Sequence, residues 1–385
     1  MSRNILQATL AAVLVAACQS NSSAQPKSDG SRPFTVAEVA KFSTPWAMDF
    51  LPGSGVPLTN LALVTEKEGK LWLVDVRDGS RREVAGVPSV HVAGQGGLGD
   101  VVVHPDFAGN RRIYLSYVEE GEGGATGAVL GYGTLDLADA AKPALRDFKI
   151  IWRQQPKMDG DGHFSHRIAF GQDGFLYLTS GERQHFDPAQ DMSGNLGKVV
   201  RLTAEGAPAP GNPWASRGGI AAQFWTIGHR NLLGIAFAPD GRLWETEMGP
   251  QGGDELNLIL PGKNYGWPLV SNGENYNDVP IADSGTRPQF EAPKVFWDPS
   301  ISPGGLLIYS GDLFSDWKGD AIIPALSGEA LIRVDIEGDK ATKAKQWPMK
   351  ARIRSVVQGP SGEIYLLEDG KGGRLLRLDP DQARR

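Results

Sequence analysis

The sequence predicts an all-β chain folded as a six-bladed β-propeller. Three observations predict it: strand-length apolar runs dominate from Phe34 onward, one hairpin unit recurs six times, and no long segment keeps a helical period. The runs are Leu61–Val64, Leu71–Val74, Val101–Val103, Ile113–Tyr117, Phe175–Leu178, Leu306–Tyr309, Leu331–Asp335, Ile364–Leu367 and Leu375–Leu378. Gly, Pro, Asp and Asn bound nearly all of them, which is how strands joined by tight turns read. The best helical stretch, Leu135–Phe148, is interrupted by Pro143, which removes a backbone donor and clashes with the preceding turn.

The recurring unit is an apolar strand, a Pro/Asp/Gly turn and a return strand ending on an aromatic. Phe170-Gly171-Gln172-Asp173-Gly174-Phe175-Leu176-Tyr177 matches Phe237-Ala238-Pro239-Asp240-Gly241-Arg242-Leu243-Trp244. A third copy runs from Val357 to Tyr365 and a longer one from Val103 to Tyr114; diverged copies lie at Met48–Val64 and Leu306–Ile323. Six copies leave roughly 50–70 residues each, enough for a four-stranded sheet with long loops. Radial packing of such sheets protects their edges, whereas a β-sandwich has no need of six similar hairpins.

Composition narrows the function. With 39 Lys+Arg against 45 Asp+Glu in 385 residues the net charge is −6, which gives no footprint for nucleic acid and no basic stripe for an anionic membrane. A hydrophobic content of 41% supports a sizeable core, and 49 glycines, about twice ordinary usage, point to many tight turns. A single Cys excludes an internal disulfide framework and a thiolate metal cluster.

That Cys ends an export signal. Arg3 precedes an apolar run from Ile5 to Ala17 that is too short to span a bilayer comfortably and closes on Val15-Ala16-Ala17-Cys18. The segment resembles a bacterial lipobox, with Cys18 as the lipidated first residue of the mature chain. The organisation expected is a lipoprotein-type signal peptide over 1–17, a Ser/Asn/Pro-rich tether over 18–33 and the propeller over 34–385. The protein is expected to be exported to the periplasm and tethered to the membrane through its lipid.

A propeller carries its function at the channel mouth, so polar inter-strand loops matter most. Four segments stand out: Ala93–Leu98 around Gln95; Gly162-His163-Phe164-Ser165-His166-Arg167; Gly228-His229-Arg230-Asn231; and Glu247–Glu255, which leads to Asn264-Tyr265-Gly266-Trp267. His163 and His166 lack the helical spacing and second ligand of a His-based catalytic zinc site. The glycines around Gln95 have no strand–helix context and so make no dinucleotide fingerprint. His91 and His104 read as structural. From the residues alone, the mouth is polar and holds His, Arg and carboxylates.

Six segments together say more: Gly94-Gln95-Gly96-Gly97-Leu98, His104-Pro105-Asp106-Phe107, Gly228-His229-Arg230-Asn231, Gly252–Ile259, Asn264-Tyr265-Gly266-Trp267-Pro268 and Arg352-Ile353-Arg354. In this order, from about Pro45 to the C-terminus, the chain resembles the soluble glucose/sorbosone dehydrogenase family, whose members are aldose dehydrogenases dependent on pyrroloquinoline quinone (PQQ). The resemblance implies a six-bladed propeller, in agreement with the repeat count. It implies His163 as general base, held by a carboxylate nineteen residues on, here Glu182 where Asp is usual. Gln95, Arg230, Asn231, Asp254, Arg352 and Arg354 match positions that contact the quinone. Gly249 and Pro250 match carbonyls that hold a Ca2+ against it, and Glu255 and Tyr265 match ligands of a second, structural Ca2+.

The implied chemistry is coherent. Three arginines compensate the three carboxylates of PQQ by bidentate pairing, and carbonyl and carboxylate oxygens suit Ca2+. The ion polarises the quinone oxygens, Arg230 stabilises developing negative charge, and neutral His163 takes the proton of the sugar C1 hydroxyl. The product is the lactone, and an external acceptor receives the electrons from a monomer or dimer. The chain departs from the family at Met248, where Gln or His is frequent, at His166, where Gly is usual, and at Ser327, where a Lys normally neutralises the cofactor. Two other classes remain open here: a Ca2+-dependent, lactonase-like hydrolase, and a non-catalytic propeller that binds sugar or protein. The paired cations Arg352 and Arg354 favour the dehydrogenase over the hydrolase.

Overall fold

The computed structural model describes residues 32–52, 60–277 and 279–381. Cys18, the signal segment and nearly all of the tether lie outside the described residues. Six antiparallel four-stranded sheets form the blades of a propeller. Blade 1 is built from Pro45–Phe50, Leu61–Glu66, Lys70–Asp75 and Arg81–Glu83, and blade 2 from Leu98–Val103, Arg112–Glu120, Thr126–Asp136 and Ala144–Arg153. Blade 3 follows with Ser165–Phe170, Leu176–Ser180, Lys198–Leu202 and Phe224–Ile227, and blade 4 with Leu232–Phe237, Leu243–Glu247, Asp254–Ile259 and Val295–Trp297. Leu307–Ile308, Ala321–Ala325, Ala330–Glu337 and Lys340–Pro348 make blade 5. Blade 6 takes Ile353–Gln358, Ile364–Glu368 and Arg374–Pro380 from the C-terminal end, and its outermost strand, Phe34–Lys41, from the start of the domain.

That last pairing closes the ring, with Phe34 opposite Pro380 and Val36 opposite Leu378. The innermost strands then contact one another in sequence around the channel, and blade 6 returns to blade 1. Each recurring hairpin proves to be the turn between the first and second strands of a blade. In blade 3 the Asp173 carboxylate accepts the Phe175 N–H at 3.1 Å and Gly174 adopts φ 78°; Asp240 and Gly241 repeat this in blade 4. Asp in front of a left-handed Gly is the side-chain chemistry of a tight turn.

The strands read as unbroken apolar runs because both faces of a blade are buried. Successive residues serve alternate interfaces. Leu63 packs between blades 1 and 2, while Ala62 and Val64 pack between blades 6 and 1. Ile323 and Ile332 face blade 4, and their neighbours Ile322 and Leu331 face blade 6. Six apolar clusters result, one for each interface around the ring.

This topology also decides where chemistry can sit. A first strand begins where the second strand of its blade ends, as Leu232 opposite Glu247 and Ile353 opposite Glu368 show. Loops entering first strands and loops joining second to third strands therefore gather at one end of the channel. Gln95, His163, Arg230, Asn231 and Arg352 belong to the first kind of loop, and Lys67, Glu182, Gly249 and Asp369 to the second.

Candidate active site

His163 and Glu182 meet across two such loops of blade 3. Nδ1 of His163 is hydrogen-bonded to Oε1 of Glu182 in a very short contact. The other carboxylate oxygen accepts the Phe186 N–H at 2.9 Å, and the Glu182 N–H donates to the Arg230 carbonyl at 3.0 Å. The carboxamide of Gln95 accepts the His163 N–H at 2.9 Å. His163 is 6% exposed and Glu182 0%. Burial holds the imidazole below its ordinary value, with the charges of Arg230 and Arg183 adding to it and the Glu182 bond opposing. Burial alone would raise the Glu182 carboxyl, but the His163 hydrogen bond and charge, the Phe186 N–H and Arg230 together hold it below the usual range. The pair is therefore a neutral imidazole oriented by a carboxylate, and its lone pair is left at Nε2.

Both loops are held in costly backbone. His163, Ser165 and His166 have φ of 48°, 59° and 59°, and Arg183, Gln184 and Phe186 have 64°, 62° and 58°. Non-glycine residues persist there only when their surroundings fix them. Arg183 supplies part of that fixing: wholly buried, it donates from Nε to the Gly162 carbonyl at 2.9 Å and from Nη2 to Thr126 Oγ1 at 2.9 Å, with its guanidinium 3.9 Å from the Phe164 ring centroid. Lys198 adds to it. Its buried ammonium donates to the carbonyls of Pro188, Ala189 and Leu196 at 2.8, 3.0 and 2.7 Å, all within the loop that follows Glu182.

Arg230 lies between this pair and blade 4. Its N–H donates to Glu247 Oε2 at 2.6 Å, and Nη1 donates to the carbonyls of Met248 at 3.0 Å and Gly249 at 2.5 Å. The guanidinium stands 5.2 Å from the Trp267 ring centroid, and its buried Nε has no partner. Asn231 accepts from Ser165 Oγ at 3.2 Å. Asp254 shapes the loop from beneath, accepting the N–H groups of Gly249, Ile301 and Ser302 at 2.9, 2.7 and 2.6 Å. Burial pushes its carboxyl up to about 6 despite these bonds.

A cavity of 420 Å3 is lined by Gln95, His166, Met248, Arg352, Arg354 and Lys67 among others; Phe164 and Ser165, next to His163, also line it, whereas Arg230, Asn231 and Asp254 do not. Arg352 and Arg354 share one carboxylate, Asp369, at 2.8 and 2.7 Å. His166 is stacked on Trp46 at 5.3 Å and bonded through Nδ1 to Ser116 Oγ at 2.8 Å. Burial pushes it down to about 3, too weak a base for efficient proton transfer at neutral pH. Ser327 falls in the second-to-third link of blade 5, where its hydroxyl lies 2.8 Å from that of Ser302.

A second, smaller cavity is lined by Arg230, Glu247, Gly249, Glu255, Tyr265 and Trp267, and Pro250 is buried next to Gly249. Behind it, Asn257 Nδ2 lies 3.2 Å from carboxylate oxygens of Glu245, Glu247 and Glu255. Burial first, then the charge of Glu247, drives Glu245 and Glu255 well above the usual carboxylate range. Glu245 Oε1 and Asn257 Oδ1 are buried without a partner, and ligand atoms of His229, Glu245 and Glu247 lie within 4.8 Å of one another. The Tyr265 hydroxyl donates to the Leu258 carbonyl at 2.6 Å and its main-chain N–H to the Ile227 carbonyl at 2.9 Å, so the residue pins the loop from both ends.

The glucose/sorbosone dehydrogenase family description matches residues 42–377, nearly the whole described propeller. The chain belongs to the glucose/sorbosone dehydrogenase family. It is 39% identical over 345 residues to an aldose sugar dehydrogenase of Escherichia coli, covering 88% of this chain and 91% of that protein. A crystal structure of a glucose dehydrogenase superposes with a TM-score of 0.83 at 43% identity, over 89% of this chain and 99% of that one. The PQQ-bound aldose sugar dehydrogenase of Streptomyces coelicolor gives 0.73 at 28% identity, over 90% and 98%.

In this family member the sequence motifs located the polar mouth but missed several residues that build it. Arg183 and Lys198 clamp the loops that carry His163 and Glu182, and Asp369 joins the two arginines. Lys198 carried a readable signal, a Lys opening the apolar strand Lys198–Leu202. Asp369 reads only as a turn after a strand.

Proposed function

We propose that this protein is a PQQ-dependent aldose dehydrogenase that oxidises a sugar at C1 to the lactone and passes electrons to an external acceptor. The observation that carries the reading is the His163–Glu182 pair, a neutral base with a fixed tautomer beside the guanidinium of Arg230. A sugar hydroxyl is too weak an acid to lose its proton unaided at neutral pH, and an imidazole poised as an acceptor supplies that step.

The residues present fit the cofactor. The larger cavity has more cationic than anionic groups, since Arg352 and Arg354 share a single carboxylate and Lys67 adds a third positive charge. That surplus suits a ligand with several carboxylates. Gln95, Arg230, Asn231, Asp254, Arg352 and Arg354 form the proposed cofactor set, with Asp254 acting through the loop it shapes. PQQ, when bound, supplies the acceptor for the hydride leaving C1. Arg230, with an unpartnered buried N–H, offers positive charge where negative charge develops. His163 takes the hydroxyl proton at Nε2, and Glu182 holds Nδ1–H and stabilises the imidazolium that forms.

Ca2+ is proposed at two places: the Gly249 and Pro250 carbonyls, and the region of Glu255 and Tyr265. At the second, the orphaned oxygens of Glu245 and Asn257 supply the hard donors such an ion needs. Export and lipid anchoring through Cys18 complete the reading; among the described residues no helix is long and apolar enough to cross a membrane. Fractionation of Cys18→Ser against the unaltered chain tests the anchor, which predicts release of the variant into the soluble fraction.

The function is tested by the absorption spectrum of the purified protein mixed with PQQ and Ca2+, before and after an aldose is added. Bands of bound quinone that bleach on adding sugar support it. Bound quinone indifferent to every aldose, or no binding, contradicts it.

A further inference from the structure

Lys67 sits in the link between the second and third strands of blade 1, the same class of loop that carries Glu182 in blade 3 and Asp369 in blade 6. Its main chain is fixed on both sides, donating to the Thr44 carbonyl at 2.9 Å and accepting the Leu98 N–H at 3.0 Å. Its stem lies against Gly97, where a Cβ would come within 2.6 Å of the Lys67 Cγ and within 2.3 Å of its carbonyl oxygen. A side chain at 97 would therefore force Lys67 away from the channel. The ammonium donates to the Gly94 carbonyl at 2.5 Å, beside Gln95, and lines the same cavity as Gln95, Arg352 and Arg354.

The charges around that cavity do not balance. Arg352 and Arg354 have Asp369 between them, and among the described residues no carboxylate pairs with Lys67. Three cations thus face one anion, and His166, pushed down to about 3, adds no charge at neutral pH. Ser327 contributes none either, its hydroxyl being engaged with Ser302 Oγ and the Ser300 carbonyl. A lysine ammonium is a compact point charge on a flexible stem, able to leave a single carbonyl for a carboxylate.

We propose that Lys67 is the third cation of the cofactor site, pairing its ammonium with a carboxylate of the bound polyanion from the blade 1 side of the cavity. It takes there the neutralising role for which Ser327 has no charge. This rests on the PQQ reading of the cavity.

The test is titration of Lys67→Met, Lys67→Arg and Arg352→Ala with PQQ in the presence of Ca2+, followed by quinone absorbance and by tryptophan fluorescence, at low and high salt. Thermal melts without cofactor accompany it. The proposal expects Lys67→Met to bind about 10- to 100-fold more weakly, the loss of one charge-assisted hydrogen bond, with an unchanged melt and a shallower salt dependence. Lys67→Arg should bind within a few-fold of the unaltered chain. If Arg352→Ala weakens binding while Lys67→Met does not, the role of Lys67 is overturned and the cofactor reading stands. A lowered melt for Lys67→Met, with Lys67→Arg losing as much affinity, also overturns it, since the residue would then only hold the Gly94 loop. No binding by the unaltered chain overturns both.

Discussion

The side chain of Gln95 accepts the main-chain N–H of His163 at 2.9 Å, so a loop entering blade 2 positions His163 at the entry of blade 3. The Gln95 N–H in turn donates to the Asp161 carbonyl at 2.7 Å, which makes the tie reciprocal. With cofactor supplied to saturation, Gln95→Ala is expected to lower turnover about 2- to 12-fold, the worth of one ordinary hydrogen bond. Its melting temperature should barely move, because Gln95 is exposed. Gln95→Glu, which keeps an acceptor, should recover turnover in steady-state kinetics.

Glu182 controls both the orientation and the basicity of His163. The imidazole lies below its ordinary value of 6.5 because burial outweighs the raising effect of the carboxylate. The imidazole therefore stays neutral into mildly acidic solution, and with His163 as the proposed base the acid limb of kcat/KM is expected below pH 6.5. Glu182→Gln removes the raising contribution, so the limb should move to still lower pH. The plateau should fall about 10- to 100-fold through loss of a charge-assisted bond to the imidazolium. A limb that moves upward contradicts this assignment.

Lys198 links stability to pH through the loop it holds. Burial pushes its amine down to about 7 from an ordinary 10.5. Between those values the unfolded chain binds the extra proton, so stability rises with pH, and the gain is lost as pH falls through the folded value. Lys198→Met removes that dependence. Its deficit relative to the unaltered chain should be larger at pH 9 than at pH 6, by about 1–3 kcal/mol in denaturant titrations.

The proposed structural Ca2+ would sit among three buried glutamates around Asn257, where two oxygens are unpartnered. A chelator should lower the melting temperature and Ca2+ should restore it. An ion that binds only the folded state contributes about 2.7 kcal/mol when it exceeds its dissociation constant a hundredfold. Glu255→Gln should blunt the response to Ca2+ in the same melts.

Local chemistry explains what was legible in the sequence. Turns such as Asp173-Gly174 and Asp240-Gly241 are written in adjacent residues, and strands buried on both faces read as apolar runs, so blade number followed. The closing strand Phe34–Lys41 escaped notice because Thr35 and Asp379, which it brings together, are 344 residues apart. At the candidate site, His163 and the arginines lie in recognisable motifs and Glu182 follows from the family resemblance, whereas Arg183 and Asp369 act through contacts between loops that no local pattern encodes. Lys67 belongs to that second group.

The central claim is that His163 removes the substrate proton, and His163→Ala tests it most directly. PQQ and Ca2+ binding by the variant, measured by quinone absorbance, should stay within a few-fold of the unaltered chain. Reduction of the bound quinone by an aldose, followed in a single turnover, should slow about 10²- to 10⁴-fold, the usual worth of a positioned general base. Near-unaltered reduction with any aldose would contradict the account, whatever the cofactor affinity proves to be.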